Sequence, residues 1–585
     1  MDKNQVLLTK EKNMKIFMWG FIGLSAFTAY ISYIMSEQLG KQYYYGFIMI
    51  IPFLFMSFYF RGRMLKYRAL YHIKSSWGKK EDRKRNFKDI KKLYEFLCVE
   101  KSNEFFIDNQ TFEDFTLDKV FEVLDRTLST PGEQILYSML RNPIFDEDIL
   151  VRRKQIINFF QNNKDLRDKV QTELYWMGRQ RKNTITEFLW GEIPPKSNLK
   201  YFFNLMAIIP VILIILIPFY GGVFGFYLVF VLIINMFIHN KFRDQISCHV
   251  DSMTYLGSLV NAAKKLGTID DNLPSYYKDI FVDNTKNIKS SKSAAIVASV
   301  EGGDVIVEYL NILFLTKERK FYSVIDELTK FRDELRKVYI AIGELDALIS
   351  IASYRTGLTY YCEPVLNKKQ RNMDIINMYH PLIDNPVANS IKIENGGIVL
   401  TGSNMSGKST FLRTLGINVL FAQTICTCLS ESYSGSYFKI LSSISPSDNL
   451  LVGKSYYLGE AEAVLRIVKS CNEELPCLCI IDEIFRGTNP IERISASAEI
   501  LDYLIKHNSL PIVATHDLEL TEIVDKRYEC YYFTEDVDDE GLKFDYLIRK
   551  GVSPTRNAIK LLKYLGYPEE IIKNTNKRVD LLFNK

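Results

Sequence analysis

The sequence predicts a chain of mixed class, with a C-terminal α/β domain, a mainly helical middle part and two pairs of membrane-spanning helices. Three observations predict this division. Short apolar runs that end in polar tips alternate with helical patterns beyond residue 366. Apolar residues recur at helical spacing in the middle of the chain. Two pairs of long uncharged runs, at about 16–60 and 201–238, interrupt that helical part.

Composition narrows the class of protein. At 585 residues the chain is long enough for two to four domains. A net charge of +5 is nearly balanced, so the whole chain carries no nucleic-acid footprint. The nine cysteines fall singly or as Cys426-x-Cys428 and Cys477-x-Cys479, and neither spacing is a zinc pattern or a disulfide framework. We therefore expect no zinc and a reducing compartment, with Cys477 and Cys479 as small buried hydrophobes.

The first membrane hairpin is predicted at residues 1–68, with spans at about 16–35 and 43–60. Each run has no charged residue, and about 20 residues at 1.5 Å each make about 30 Å, the thickness of a bilayer core. A cleavable signal peptide is the alternative for the first run, and the second run directly after it argues against cleavage. Both outer flanks are basic, which predicts cytoplasmic ends.

The second membrane hairpin is predicted at residues 201–240, again with basic flanks. A buried core hairpin is the alternative, but two adjacent runs of this apolar density favour the membrane. The sequence therefore predicts a multi-pass protein of the cytoplasmic membrane, with the core and the α/β domain in the cytoplasm. The cytoplasmic parts are a helical core in two pieces, 69–200 and 241–365, and a domain at 366–585.

A basic segment at 69–95 follows the first hairpin. A solvated segment near anionic headgroups is favoured there over a DNA contact. Further on, apolar residues at helical spacing over 314–354 predict a long lever helix.

The phosphate-binding motif stands between an apolar run at 398–400 and a helical pattern at 411–417. Its members are Gly402, Ser403, Asn404, Met405, Ser406, Gly407, Lys408, Ser409 and Thr410, which fit the P-loop pattern G-x-x-x-x-G-K-[ST]. In such a loop, backbone N–H groups and a helix N-terminus surround a polyphosphate. Lys408 is predicted to reach the β- and γ-phosphates and Ser409 to hold Mg²⁺. A glycine-rich turn is the plain alternative.

Two further apolar runs end in candidate catalytic residues. Residues 478–481 lead to Asp482, placed to hold Mg²⁺, and to Glu483, placed as the general base for a water. Residues 511–514 lead to His516, which is predicted to bond the γ-phosphate or that water. A helix-capping pair of acids and a structural histidine are the alternatives. Gln423, in the helical pattern after the P-loop, is a candidate sensor of metal or water, or else a surface glutamine.

Taken together, these motifs resemble the ATPase domain of the MutS family of DNA mismatch-repair proteins. The segments that carry the resemblance are 401–410, 482–488 and 514–516 for the ATPase motifs, 448–460 for a trans-acting segment, 379–381 for an adenine-side segment, and 124–132 and 343–350 for the helical core and the end of the lever.

The resemblance implies ATP and Mg²⁺ as ligands and a homodimer that closes through the ATPase domains. It implies that Ser455 contacts nucleotide held by the other subunit, that residues 486–489 lie at the dimer seam, and that His380 lies beside adenine. It is also consistent with catalytic roles for Lys408, Glu483 and His516.

The chain departs from that family at two places. The family's N-terminal mismatch-reading domain has no counterpart before the core, and Phe105–Asp108 offers aromatic residues without that domain. The second membrane hairpin falls where the family has lever and DNA-clamp helices. An inserted aromatic wedge reads a weak base step, so its absence puts mismatch specificity in doubt.

The sequence thus predicts a membrane-anchored, MutS-like ATPase that binds and hydrolyses ATP in a dimer, coupled to binding of mismatched or otherwise irregular DNA. The alternative is a membrane-associated signalling or remodelling ATPase with no DNA ligand. A transporter of the ABC type ranks third, because four spans make a small pore even when doubled.

Overall fold

The computed structural model describes most of the chain. The described residues are 3–180, 184–192, 199–288, 305–368, 371–394, 396–403, 406–444, 456–471, 475–485, 489–538, 541–552, 562 and 565–583. The structure divides into two compact units. The helical unit comprises Met1–Phe96, Asp125–Leu136 and Ile156–Gly357, and the sheet unit comprises Leu97–Leu124, Tyr137–Gln155 and Leu358–Lys585.

Helices account for nearly all the described secondary structure before residue 357. They are α1 (Lys3–Leu39), α2 (Ile50–Ser76), α3 (Phe87–Ile90), α4 (Lys92–Glu100), α5 (Asn109–Asp114), α6 (Leu117–Leu124), α7 (Thr130–Arg141), α8 (Glu147–Asn162), α9 (Lys164–Met177), α10 (Ile185–Trp190), α11 (Leu199–Tyr220), α12 (Val223–Leu266), α13 (Ser275–Thr285), α14 (Val305–Phe314) and α15 (Thr316–Thr356), with a 3₁₀ segment at Lys41–Met49. The predicted helical region is confirmed.

Four helical stretches are long and apolar enough to cross a membrane: Asn4–Leu39, Lys41–Ser76, Leu199–Tyr220 and Val223–Phe242. They include both predicted hairpins. In the first hairpin Phe17 stacks on Phe60 with ring centroids 5.2 Å apart, and the Ser57 hydroxyl donates to the Met18 carbonyl over 3.2 Å. Large apolar side chains such as Phe55 (73% exposed) and Phe226 (86%) point away from the protein, which suits contact with lipid. Their insertion in a membrane remains a prediction.

The predicted lever is the helix α15, which departs from helical geometry at Phe331 (φ −120°, ψ 26°). Its C-terminal half packs on the loop before α7. A Cβ on Gly343 would lie 2.6 Å from the Pro131 carbonyl oxygen, so only glycine permits this approach. The Asp346 carboxylate accepts hydrogen bonds from the Leu128 and Ser129 N–H groups (3.0 and 2.9 Å) and from the Ser129 hydroxyl (2.5 Å). Both segments lie within the core resemblance noted above.

The sheet unit contains twelve described strands and five helices of its C-terminal part. These are β1 (Val365–Asn367), β2 (Asn372–Met378), β3 (Asn389–Glu394), β4 (Gly397–Thr401), α16 (Lys408–Thr424), β5 (Ser432–Ser436), β6 (Lys439–Ser443), α17 (Tyr456–Ser470), β7 (Cys477–Asp482), α18 (Pro490–Lys506), β8 (Ser509–Ala514), α19 (Leu520–Ile523), β9 (Tyr528–Tyr532), β10 (Glu535–Asp538), β11 (Gly541–Phe544), β12 (Arg549–Lys550) and α20 (Glu569–Phe583).

The main sheet has six strands in the order β12-β9-β4-β8-β7-β6, parallel except for β12. Strands β4, β7 and β8 are buried at every residue, as expected for parallel strands covered on both faces. A second sheet has the order β1-β5-β2-β3, and β10 and β11 form an antiparallel hairpin. The predicted α/β class of the C-terminal domain is confirmed.

The compact units differ from the sequence-based domain boundaries. Residues 97–124 and 137–155, which the sequence analysis put in the helical core, belong to the sheet unit. Asp114 shows why, because its carboxylate accepts from the Ser442 hydroxyl (2.7 Å) and the Ile444 N–H (3.0 Å) beside β6. Asp108, in the aromatic segment considered above, caps α5 by accepting from the Thr111 N–H and pairs with Arg466 over 2.5 Å.

The cysteines of β7 are buried, as the sequence predicts. Cys471 lies beside Cys477 and Cys479, and the three sulfur atoms are within 4.8 Å of one another. They belong to an apolar cluster with Ile467 and Leu501. The spacing in sequence did not reveal that Cys471 completes this group.

Candidate nucleotide-binding site

Three adjacent strands end side by side at the predicted site. Leu400 of β4 pairs with Ala514 of β8, and Ala514 pairs with Asp482 of β7. Beyond these pairs the Thr515 N–H donates to the Leu400 carbonyl and the Glu483 N–H to the Ala514 carbonyl, both over 2.9 Å. The P-loop, the two acids and His516 therefore leave the same edge of one sheet, where α/β proteins bind their ligands.

The P-loop turns on two glycines with backbone angles that favour glycine, Gly402 (φ +142°) and Gly407 (φ +107°). A Cβ on Gly402 would also lie 2.8 Å from the Phe533 carbonyl oxygen. Lys408 begins α16 and is largely buried, and its ammonium donates to the carbonyls of Gly402 (2.8 Å) and Ser403 (2.7 Å). The loop is thus wrapped around its lysine. Asn404 and Met405 lie outside the described residues.

Ser409 and Asp482 meet at this edge, because the Ser409 hydroxyl donates to the Asp482 carboxylate. Asp482 is buried, so this carboxylate is held at one place. A hydroxyl and a carboxylate oxygen are the hard ligands that Mg²⁺ prefers. The pair fits the predicted metal position.

Glu483 and His516 form the second polar pair, with Glu483 Oε1 and His516 Nε2 2.8 Å apart. Lys408 Nζ lies 3.4 Å from the same nitrogen. Glu483 has a left-handed backbone (φ +64°), a conformation that non-glycine residues adopt at the cost of strain and that often occurs at functional sites. The turn after β7 therefore directs this carboxylate to the end of β8.

An ion pair that the sequence analysis did not find supports the turn that carries His516. Arg493 of α18 donates to both oxygens of Asp517, over 2.8 and 2.5 Å. The Asp517 N–H donates in turn to the Thr515 hydroxyl over 3.0 Å. Asp517 follows His516 directly, but only the fold brings Arg493 to it.

A cavity of about 370 Å³ opens beside the P-loop, and His380 is on its wall. Apolar side chains of Met378, Phe411 and Phe533 and the ring of Tyr546 line it, together with Gly407 and Thr410. Burial and nearby Arg413 lower the pKa of His380 to about 4, so its imidazole is neutral at neutral pH. Because its Nδ1 accepts from the Leu382 N–H over 3.2 Å, the neutral ring carries its proton on Nε2.

The Gln423 side chain is fully buried, so the alternative of a surface glutamine is wrong, and its role as a sensor of metal or water stays a prediction. Its amide nitrogen donates to the Phe438 carbonyl (2.9 Å) and its amide oxygen accepts from the Phe438 N–H (2.8 Å). Both amide groups thus hold the backbone at Phe438, just before β6.

Several predicted positions lie outside the part of the chain that the structure describes. They are Ser455 and the preceding residues 445–454, and Arg486–Thr488 of the expected seam. Asn489, the last residue of that segment, is described and caps α18, accepting from the Ile491 N–H over 3.0 Å.

Comparison with known proteins gives an independent result for the same region. Residues 398–582 match the family model described as MutS domain V. The predicted resemblance to the MutS family is confirmed for the part of the chain that contains the P-loop, the two acids and His516.

Over part of its length the chain is similar to proteins named DNA mismatch repair protein MutS. The DNA mismatch repair protein MutS of Petrotoga mobilis is 30% identical over 284 residues, which are 46% of this chain and 34% of the relative. The protein of the same name from Thermotoga maritima is 31% identical over 262 residues, 43% of this chain and 32% of that protein. The chain therefore spans about a third of the length of these MutS relatives.

Proposed function

We propose that this protein is a membrane-anchored, MutS-like ATPase that binds and hydrolyses ATP with Mg²⁺. The observation that carries the proposal is the meeting of Lys408, the Ser409–Asp482 pair and the Glu483–His516 pair at the ends of three adjacent strands. Phosphoryl transfer to water needs charge neutralisation, a positioned metal and an oriented water. This edge of the sheet offers a residue for each.

In this proposal Lys408 neutralises the β- and γ-phosphates, and Ser409 and Asp482 hold the metal. Mg²⁺ supplies charge neutralisation on the phosphates when it is bound. Glu483 orients and deprotonates the attacking water, and His516 holds the Glu483 carboxylate in place through their 2.8 Å contact. The water oxygen bonds to the γ-phosphorus while its proton passes to Glu483, the bond from the γ-phosphorus to the β,γ-bridging oxygen breaks, and ADP and inorganic phosphate leave.

The cavity beside the P-loop suits the adenine ring. Its volume and its apolar walls are those of a small-molecule pocket with few polar groups. The Nε2–H of His380 is a neutral donor on that wall, and adenine ring nitrogens are acceptors.

Two copies of the chain are proposed to close on the nucleotide, with Ser455 of one subunit at the ATP of the other. The support for this is the resemblance to the MutS family, which acts through paired ATPase domains. Binding of mismatched or otherwise irregular DNA is proposed on the same ground, since the relatives are named as DNA mismatch repair proteins.

A second candidate, to which the four long apolar helices are equally suited, is a membrane-associated signalling or remodelling ATPase with no DNA ligand. Both candidates place the protein in the cytoplasmic membrane with its ATPase domain in the cytoplasm. They differ in the ligand that ATP binding controls.

Two measurements on the detergent-purified full chain test these proposals. The first is release of phosphate from ATP with and without Mg²⁺, where Mg²⁺-dependent turnover supports the ATPase and its absence refutes it. The second is binding to duplex, mismatched and branched DNA over a range of salt concentrations. A steep salt slope indicates phosphate contacts, and no binding at low salt favours the second candidate.

A further inference from the structure

The lever helix α15 is separated from the preceding helix α14 by a break, and the second hairpin contacts this break. Helix α14 ends at Phe314, Leu315 has a left-handed backbone (φ +46°), and α15 begins at Thr316. The last carbonyl groups of a helix lack intrahelical donors and carry the negative end of its dipole. A break of this kind therefore presents carbonyl oxygens and partial negative charge at one point.

Two polar residues of α12 contact this break. The Asn235 amide nitrogen donates to the Leu313 carbonyl over 2.8 Å, and His239 Nδ1 lies 2.8 Å from Glu318 Oε1. Asn235 and His239 are four residues apart, so their positions are separated by one helical turn, about 6 Å. Both contacts therefore lie on the same face of α12, one turn apart.

Two oxygen atoms at the break are buried without a hydrogen-bond partner among the described residues. They are Oε2 of Glu318, which is 1% exposed, and Oδ1 of Asn235, which is 0% exposed. The amide nitrogen of Asn311, in the last turn of α14, has the same property, and a rotated amide would present an oxygen there. Unpaired buried polar atoms of this kind require a reason, such as a bound ion.

Neighbouring cations do not supply that partner in the described structure. Arg319 follows Glu318, but its Nε donates to Asn204 Oδ1 of α11 over 2.7 Å. The Glu318 carboxylate is therefore buried beside α12, and His239 contacts only one of its two oxygens, Oε1. Ionisable residues within transmembrane segments are rare and mark ion or proton pathways, and His239 lies in the apolar stretch Val223–Phe242.

We propose that the break between α14 and α15 is a binding site for a small monovalent cation, Na⁺ or K⁺. Glu318 Oε2, Asn235 Oδ1 and the terminal carbonyls of α14 would be its oxygen ligands. One carboxylate balances one positive charge, whereas a Ca²⁺ site uses several acidic ligands. Broken helices in membrane proteins supply carbonyl oxygens to Na⁺ in the same way.

The location of the site gives the cation a role at the lever. Glu318 and Leu313 lie on opposite sides of the break, so a cation held between them would fix the direction in which α15 begins. The cation site itself does not depend on ATP hydrolysis, and only its influence on the lever rests on the proposed ATPase function.

Thermal unfolding of the full chain in detergent tests the site without relying on turnover. The midpoint is measured in choline chloride, NaCl and KCl at one ionic strength, so that general screening is constant. A ligand that binds the folded protein raises the midpoint, and we expect a rise of about 3 °C or more in Na⁺ or K⁺ relative to choline. Equal midpoints in all three salts overturn the proposal.

Variants locate the effect. Glu318→Gln and Asn235→Ala should each abolish the cation-dependent rise, and Asp333→Asn, an exposed acid on the same helix, should keep it. A rise of equal size in Glu318→Gln and in the wild type overturns the assignment to Glu318. A midpoint that responds to pH and not to Na⁺ or K⁺ also overturns it, in favour of a proton at this carboxylate. A protein inactive towards ATP that still shows the rise refutes only the proposed ATPase function.

Discussion

Two acids, one from each compact unit, are held in opposite ways. In the helical unit, the Asp346 carboxylate is 1% exposed and accepts from two backbone N–H groups and one hydroxyl. In the sheet unit, the Glu483 side chain is 20% exposed and meets His516, which is 34% exposed, at the end of the strands. An acid enclosed by backbone donors fixes a fold, and an acid at an open strand end serves a ligand.

Substitutions of these two kinds of acid should therefore affect different properties, namely nucleotide chemistry and stability. Changes at Glu483 and His516 should alter nucleotide chemistry with little change in stability, because both side chains are partly exposed. Changes at Asp346 should alter stability first. The predictions below test each side of the comparison.

The largest effect is expected at Lys408. Lys408→Ala removes the only side-chain cation that contacts the P-loop carbonyls among the described residues, and with it the charge proposed to neutralise the phosphates. We expect loss of nucleotide binding and a fall in turnover of about 10³-fold or more. Binding of a fluorescent ATP analogue measures the first and phosphate release the second. Lys506→Ala, an exposed lysine at the end of α18, should bind and hydrolyse as the wild type does.

The next effect concerns Glu483. Glu483→Gln keeps the shape of the side chain and removes the base, so ATP binding should persist while hydrolysis falls by about 10²-fold or more. The unfolding midpoint should stay within about 1 °C, because the strand-end site is partly open. Glu492→Gln, exposed in the first turn of α18, is the matched control. Near-normal turnover in Glu483→Gln would remove this residue from its proposed role.

The strand-end site was predictable because its polar residues lie in short, contiguous sequence motifs. The P-loop, Asp482–Glu483 and His516 each follow an apolar run directly, and parallel strands bring such ends together. Arg493, Phe533 and Tyr546 contact the site through long-range packing, which no local pattern encodes. The burial of Gln423 was not predictable for the same reason, because a helix buried on nearly all sides has no polar face that distinguishes exposed from buried polar residues.

The helical unit was predictable only in outline. Helical periodicity indicated α15, and the resemblance marked residues 124–132 and 343–350, but neither showed that Asp346 binds the backbone at Leu128 and Ser129. Long-range pairs also explain why the compact units differ from the predicted domain boundaries, since Asp114 contacts β6 across more than three hundred residues. The polar contacts at the α14–α15 break also join residues far apart in sequence, so no local pattern predicts them.

A smaller effect, on stability and its pH dependence, is expected at Asp346. Burial raises the pKa of this carboxyl from 3.8 to about 6. A pKa raised in the folded protein means that folding favours the protonated form, so this group's contribution to stability declines as pH rises from about 4 to about 6. Asp346→Asn should lack that decline. Unfolding midpoints of the two proteins from pH 4 to pH 7 measure the difference, and parallel curves would contradict it.

Removal of the same side chain tests its hydrogen bonds. Asp346→Ala leaves the Leu128 and Ser129 donors without their acceptor, and we expect a loss of about 1–3 kcal/mol in the free energy of unfolding. The residual turnover per folded molecule should equal that of the wild type. Asp333→Ala, exposed on the same helix, should leave the midpoint unchanged.

The smallest effect is expected at His380, which lies at the cavity and not among the residues that contact the P-loop lysine. His380→Ala removes one neutral hydrogen-bond donor, so ATP affinity should fall by about three- to tenfold while turnover at saturation is retained. Because the pKa of His380 is lowered to about 4, its ring stays neutral at higher pH, and ATP affinity of the wild type should show no His380 titration between pH 6 and pH 8. The affinity ratio of wild type to His380→Ala, measured across that range with His507→Ala as the control, should therefore be constant. A ratio that grows or shrinks with a midpoint near 6.5 would mean that the imidazole is exposed to solvent and that His380 does not form part of a closed adenine pocket.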